Sequence, residues 1–222
     1  MQLSAEVRLF WFDNKPAALE DWFLKAPIHG CAAGGGKGRT DVYLRDGSQI
    51  ELGVKTRGEK PGVEVKGVEV TGVEVKGLVS VQSDSAEFVS YNIPIEIWSK
   101  WSSRTLGFDA KAGLALHKTR WLRKFDTAEA LPVEIALDSR EQPVDGALPA
   151  RGCNVEWTMV EIPSAETCWT LGFEAFGSLH DIESSLRSVV RLMNGRNPPD
   201  APGATAASYP AWLAKRLPAR EH

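Results

Sequence analysis

Hydrophobic and polar positions alternate with a period of two over much of this chain. Near its start Glu6, Arg8 and Phe10 alternate with Val7, Leu9 and Trp11, which predicts a first strand with unlike faces. Further strands are expected over 41–45, 49–57, 63–66, 94–101, 114–125, 133–138, 153–162 and 170–176. Short runs separated by turn residues predict an antiparallel, strongly curved sheet or barrel. Two stretches switch to helical spacing. Over 15–23, Pro16 stands near a helix start and Leu19, Trp22 and Phe23 share a face. Over 178–193, Leu179, Ile182, Leu186, Val189, Val190 and Met193 recur at the spacing of a longer amphipathic helix, stopped by Asn194 and Gly195. The segment 194–207 is expected as a loop leading to a short C-terminal cap that carries Tyr209, Trp212 and Leu213.

Residues 62–76 repeat one unit three times, GVEVK-GVEVT-GVEVK. Five is an odd period, so each copy reverses the side-chain parity of a straight strand. One copy is therefore expected as a strand and the other two as a duplicated insertion. The glycine cluster GCAAGGGKGRT, expected as a loop, resembles a phosphate cradle, but no Gly-Lys-Ser or Gly-Lys-Thr follows it. Nothing divides the 222 residues into two cores, so a single domain over 1–222 is expected.

Composition narrows the class of partner. The 26 Lys and Arg residues against 29 Asp and Glu give a net charge of -3, which argues against a nucleic-acid polymer as ligand. No apolar run approaches the ~20 residues that cross a bilayer, and Glu6 and Arg8 interrupt the first segment, so a soluble cytoplasmic protein without a membrane partner is expected. Cys31, Cys153 and Cys168 lack the paired spacing of a zinc site or disulfide framework and are expected to pack.

Charge changes the picture most through its placement. Lys55 and Arg57 share a strand face, as do Lys118 and Arg120; Glu134 stands between Val133 and Ile135, and Glu156 alternates with Val155 and Trp157. An ordinary half-wet sheet alternates in the same way. Eight tryptophans, most on or beside the strands, instead suggest helices covering an apolar outer face, which would turn the charged faces into a lumen. Same-face neighbours lie about 6.6 Å apart along a strand, so each basic pair can grip separate phosphoryl groups of one ligand.

The order of these features resembles the CYTH superfamily, the triphosphate tunnel metalloenzymes. It runs from an early Glu6 through Lys55-x-Arg57, an EVKG strand with Lys66, Lys118-x-Arg120, Glu156 and a helix to a terminal Ser208-Tyr209. The resemblance implies an α+β fold, an eight-stranded antiparallel β-barrel or tunnel with flanking helices. It also implies a phosphorylated small molecule or polyphosphate as ligand, with Mg2+ or Mn2+, and hydrolysis of triphosphates. On that basis Arg8, Lys55, Arg57, Lys66, Lys118 and Arg120 are the substrate-binding candidates. Glu6 and Glu156 are the catalytic candidates, and Glu6, Glu134 and Glu156 the metal candidates.

The chain departs from that family at its first motif, where Glu-x-Glu-x-Lys becomes Glu6, Arg8 and Phe10, and later where a second Glu becomes Thr158. Arg8 there offers fixed positive charge in place of an ion. A non-catalytic module for an anionic metabolite is therefore kept beside the metal-dependent triphosphatase, with a protein-interaction module as the third reading.

Overall fold

The computed structural model describes residues 2–12, 14–25, 34–44, 50–57, 72–103, 113–162 and 167–216. The chain runs β1 (Gln2–Trp11), α1 (Ala17–Lys25), β2 (Gly34–Leu44), β3 (Leu52–Arg57), β4 (Val73–Phe88), β5 (Tyr91–Ser103), β6 (Gly113–Asp126), β7 (Val133–Ile135), β8 (Gly152–Glu161), β9 (Thr167–Phe176), α2 (Ile182–Asn194), β10 (Thr205–Ala206) and α3 (Tyr209–Arg216). Eight strands pair antiparallel in the order β1-β5-β4-β3-β2-β6-β8-β9. The β1–β9 pairing, from Ser4 opposite Phe176 to Trp11 opposite Trp169, closes them into a barrel. β7 extends β6, and β10 pairs with Leu9 and Phe10 of β1. The expected α+β barrel with flanking helices is the architecture found. No helix among the described residues is long and apolar enough to cross a membrane.

Alternation sorts the side chains into two apolar clusters on opposite sides of the wall. Outside, Val7, Leu9, Trp11, Val155, Trp157, Leu171 and Phe173 meet Leu19 and Phe23 of α1 and Ile182, Leu186, Val189, Val190 and Met193 of α2. Inside, at one end, Phe10, Tyr43, Leu114, Leu116, Val160 and Cys168 meet Trp212 and Leu213 of α3. That end is a packed floor, with Phe10 stacked 5.0 Å from Trp212.

Several elements differ from their expected extent. β2 begins at Gly34, so part of the glycine cluster is strand rather than loop; its bulge between Gly34 and Lys37 uses the positive φ of Gly36, 69°. β4 starts on the third repeat copy and continues to Phe88 because β5 and α2 support its polar second half, where Arg187 donates to the carbonyl of Ser85. The first two copies and the strand expected over 63–66 lie outside the described residues. α2 starts at Ile182 rather than 178, leaving Leu179 63% exposed. The loop after it is pinned by the Ala201 carbonyl, which accepts from Trp11 Nε1 at 2.9 Å and Tyr91 OH at 2.8 Å.

Glu134 does not reach the lumen. Short β7 places it under α1, where it accepts from Arg123 Nη1 at 2.7 Å while Arg123 Nε and Nη2 donate to the Phe23 carbonyl at the end of the helix. Both side chains are only 1% exposed, so the pair anchors α1 and leaves the metal set. Burial outweighs Arg123 and raises the Glu134 carboxyl to about 7. Removing one member of such a pair leaves a buried charge short of a partner, so Glu134→Ala is expected to cost about 3 kcal/mol in urea unfolding. Its ligand affinity, measured by calorimetry, should be that of the parent.

Candidate functional site

A cavity of about 530 Å3 fills the barrel above the aromatic floor. Six neighbouring strands each send at least one cation into it: Arg8 from β1, Arg39 from β2, Lys55 from β3, Lys76 from β4, Lys100 from β5, and Lys118 with Arg120 from β6. The remaining barrel strands, β8 and β9, contribute Asn154, Glu156, Thr158 and Glu174. The exposed side chains of Gln2, Trp101 and Ser102 border the other end of the cavity, opposite the floor.

Register explains the convergence. Lys118 and Arg120 lie opposite Arg39 and Lys37 on β2, and Arg120 opposite Thr158 on β8; Arg8 and Glu156 both face Gly172 across their respective pairings. The absence of a side chain at 172 makes room for Arg8, since a Cβ there would stand 2.5 Å from Arg8 Nη2 and 2.6 Å from Nη1 and would displace the guanidinium. The guanidinium lies flat over the gap, donating to Thr170 Oγ1 at 2.9 Å and Glu156 Oε2 at 3.2 Å, with its centre 4.8 Å from the Tyr209 ring.

The cations are compensated from within. Glu6 accepts from Ser4 at 2.8 Å and is bridged by Lys76 and by Lys100, the latter at 2.8 Å; Lys100 also holds Glu174 at 2.6 Å. Glu156 holds Arg8 and Arg120, and Arg120 in turn reaches Glu141. Asp41, fully buried, gathers Arg39 at 3.2 Å, Lys118 at 3.3 Å and Lys55 at 3.6 Å, while Lys55 has Glu74 at 3.1 Å as well. Burial alone would raise the acids' pKa values, but Lys100 and Lys76 hold Glu6 below the ordinary carboxylate range, and Arg120, Arg8 and Arg39 do the same for Glu156.

Of the residues expected from sequence, Glu6, Arg8, Lys55, Lys118, Arg120 and Glu156 meet in this cavity. Arg57 ends β3 with its side chain outside the described residues, and Lys66 lies outside them altogether. Glu174, which stands among aromatics in the sequence, faces the lumen. Arg39, Asp41 and Tyr43 were missed as site residues, although their own i, i+2 spacing marks one strand face. So were Lys76 and Lys100, the latter visible beside Glu96 and Trp98 on a single face.

The donor set does not fit a divalent ion. Magnesium and manganese need several oxygen ligands and room for water. Glu6 and Glu156, the two candidate acids that lie in the lumen, are each clasped instead by two fixed cations, whose field repels a further positive charge. Among the described residues no group of three His, Cys, Asp or Glu side chains is arranged to hold a metal.

No protein-family model matches the chain, and no curated protein matches it.

The ion-paired acids make stability depend on pH. A carboxylate whose folded pKa lies below its unfolded value of 4.5 contributes stability that is fully present above that pH and is lost as pH falls through the folded value. The stability difference between the parent and Glu156→Gln, measured by urea unfolding, is therefore expected to be largest above pH 4.5 and to shrink at lower pH.

Proposed function

We propose that the protein binds a phosphate-rich anion, such as a triphosphate, nucleotide or other organic phosphate, inside the barrel without a divalent ion and without hydrolysing it. The observation that carries this reading is the delivery of cations by six adjoining strands to one cavity of about 530 Å3, a volume within the usual range for small ligands. Two of the lining cations, Arg8 and Arg120, are guanidiniums with two donor nitrogens each engaged by oxygen acceptors, Thr170 and Glu156 for Arg8 and Glu156 and Glu141 for Arg120, the geometry that also suits phosphoryl oxygens. The order of charged strands shared with the triphosphate tunnel enzymes supports the same ligand class.

Preorganisation gives the lumen its chemistry. The buried acids Asp41, Glu6 and Glu156 hold the cationic ends in place before a ligand arrives, so little side-chain entropy is lost on binding. Partly exposed Glu74 and Glu174 are the carboxylates that yield Lys55 and Lys100 to an incoming anion. The metal-dependent hydrolase is the weaker reading because Glu6 and Glu156, the acids that would hold an ion to polarise an attacking water, are already paired with Lys76, Lys100, Arg8 and Arg120.

Isothermal titration with tripolyphosphate tests the proposal. Binding is expected to persist in EDTA, to weaken with added salt, and to weaken at least about a hundredfold in Lys55→Ala plus Arg120→Ala, given the ~1.5–3 kcal/mol typical of each hydrogen bond to a charged group. Phosphate release above that double variant's level with magnesium or manganese would replace this reading by the hydrolase. Absence of any heat of binding would remove both.

A further inference from the structure

We propose that Lys118 is a nucleophilic amine that captures the carbonyl group of a phosphate-bearing aldehyde as an imine, an inference that rests on the anion-binding reading of the same cavity. Lys118 differs from the other cations of the lumen in depth and in company. Its side chain is 3% exposed at the junction of the cavity and the aromatic floor, with Nζ 3.7 Å from the centre of the Tyr209 ring and 4.8 Å from that of Tyr43. Three cations share its carboxylate, Asp41. Of these, the Arg39 guanidinium keeps its proton at any working pH, and Lys55 has Glu74 as a second partner. Among the described residues Lys118 pairs with Asp41 alone.

The surroundings support a neutral amine. Burial lowers the pKa of Lys118 well below the ordinary lysine value; Asp41 opposes that fall, and Lys55, Arg39 and Arg8 deepen it. The groups facing it are Arg8 from β1, Arg39, Asp41 and Tyr43 from β2, Lys55 from β3, Cys168 from β9 and Tyr209 from α3. Tyr43 OH stands 2.7 Å from Nζ, and burial with nearby Asp41 keeps the phenol protonated. Against a neutral amine the phenol donates to the nitrogen lone pair, which holds it within reach of the reacting carbonyl.

The step balances without a further reagent. Nζ bonds to the carbonyl carbon while Tyr43 gives its proton to the carbonyl oxygen, and the nitrogen returns one proton to the phenolate. Tyr43 then protonates the departing hydroxyl, which leaves as water while C=N forms, and the nitrogen's second proton returns to the Tyr43 phenolate. Arg39, Lys55 and Arg120 surround the amine with donors for the phosphate of the same molecule.

The test uses the full chain with pyridoxal 5′-phosphate, borohydride reduction and peptide mapping by mass spectrometry. The adduct is expected on Lys118 ahead of Lys55, Lys76 and Lys100. Its rate should rise with pH earlier than that of Nα-acetyl-lysine, which serves as the standard. Tyr43→Phe should slow it about a hundredfold, and Lys118→Arg, with its fold checked by circular dichroism, should abolish it. Tripolyphosphate should protect Lys118, and pyridoxal without the phosphate should label it poorly. Competition by tripolyphosphate with no adduct at Lys118, or labelling that follows the pH profile of Nα-acetyl-lysine, overturns the imine and leaves anion binding standing. Equal labelling by pyridoxal, unprotected by tripolyphosphate, overturns the phosphate requirement and the anion-binding reading with it.

Discussion

Closure of the sheet is the constraint from which the rest follows. Once β1 pairs with β9, alternate residues of eight strands face one enclosed space, and any charge in that parity leaves bulk water. An isolated buried charge is costly, so cations from six strands are tolerable together only with acids placed among them. Asp41, Glu6 and Glu156 meet that need, each gathering at least two cations. The same arrangement makes the lumen a rigid array of donors rather than a brush of mobile lysines.

Two neighbourhoods of the cavity behave differently because their dielectric surroundings differ. Near Gln2 and Trp101 the charges are partly wet, and Glu74 and Glu174 retain room to move. Toward α3, Phe10, Tyr43 and Trp212 replace water by rings, and the Tyr209 ring lies against both Arg8 and Lys118. Electrostatics strengthens and proton affinities shift most at that floor. The C-terminal helix is thus part of the chemistry of the lumen as well as its closure.

The outer layer meets the opposite demand. Trp11, Trp157 and Trp169 form an aromatic seam between barrel and α1, closed by Phe23. Arg123 and Glu134 sit under this seam as a single buried ion pair that also satisfies the end of α1. A carboxylate between two apolar strand neighbours is therefore no guide to which side of a wall it serves. Glu134 has the local pattern of a lumen acid and the position of an outer anchor.

Period-two alternation in β1, β6 and β8 determined the strands and put Glu6 with Arg8, Lys118 with Arg120 and Glu156 with Thr158 on shared faces, because pleating alone dictates parity. The amphipathic spacing of Ile182 to Met193 determined α2 for the same local reason. Partners across the barrel had no such signal: Lys76 on Glu6, Lys118 on Asp41 and the Arg8 guanidinium over Gly172 depend on register between strands far apart in the chain. Only closure decided that those acids would be spent on neighbouring cations rather than left open to a metal ion, since the distances that set this competition run across the lumen and not along the chain.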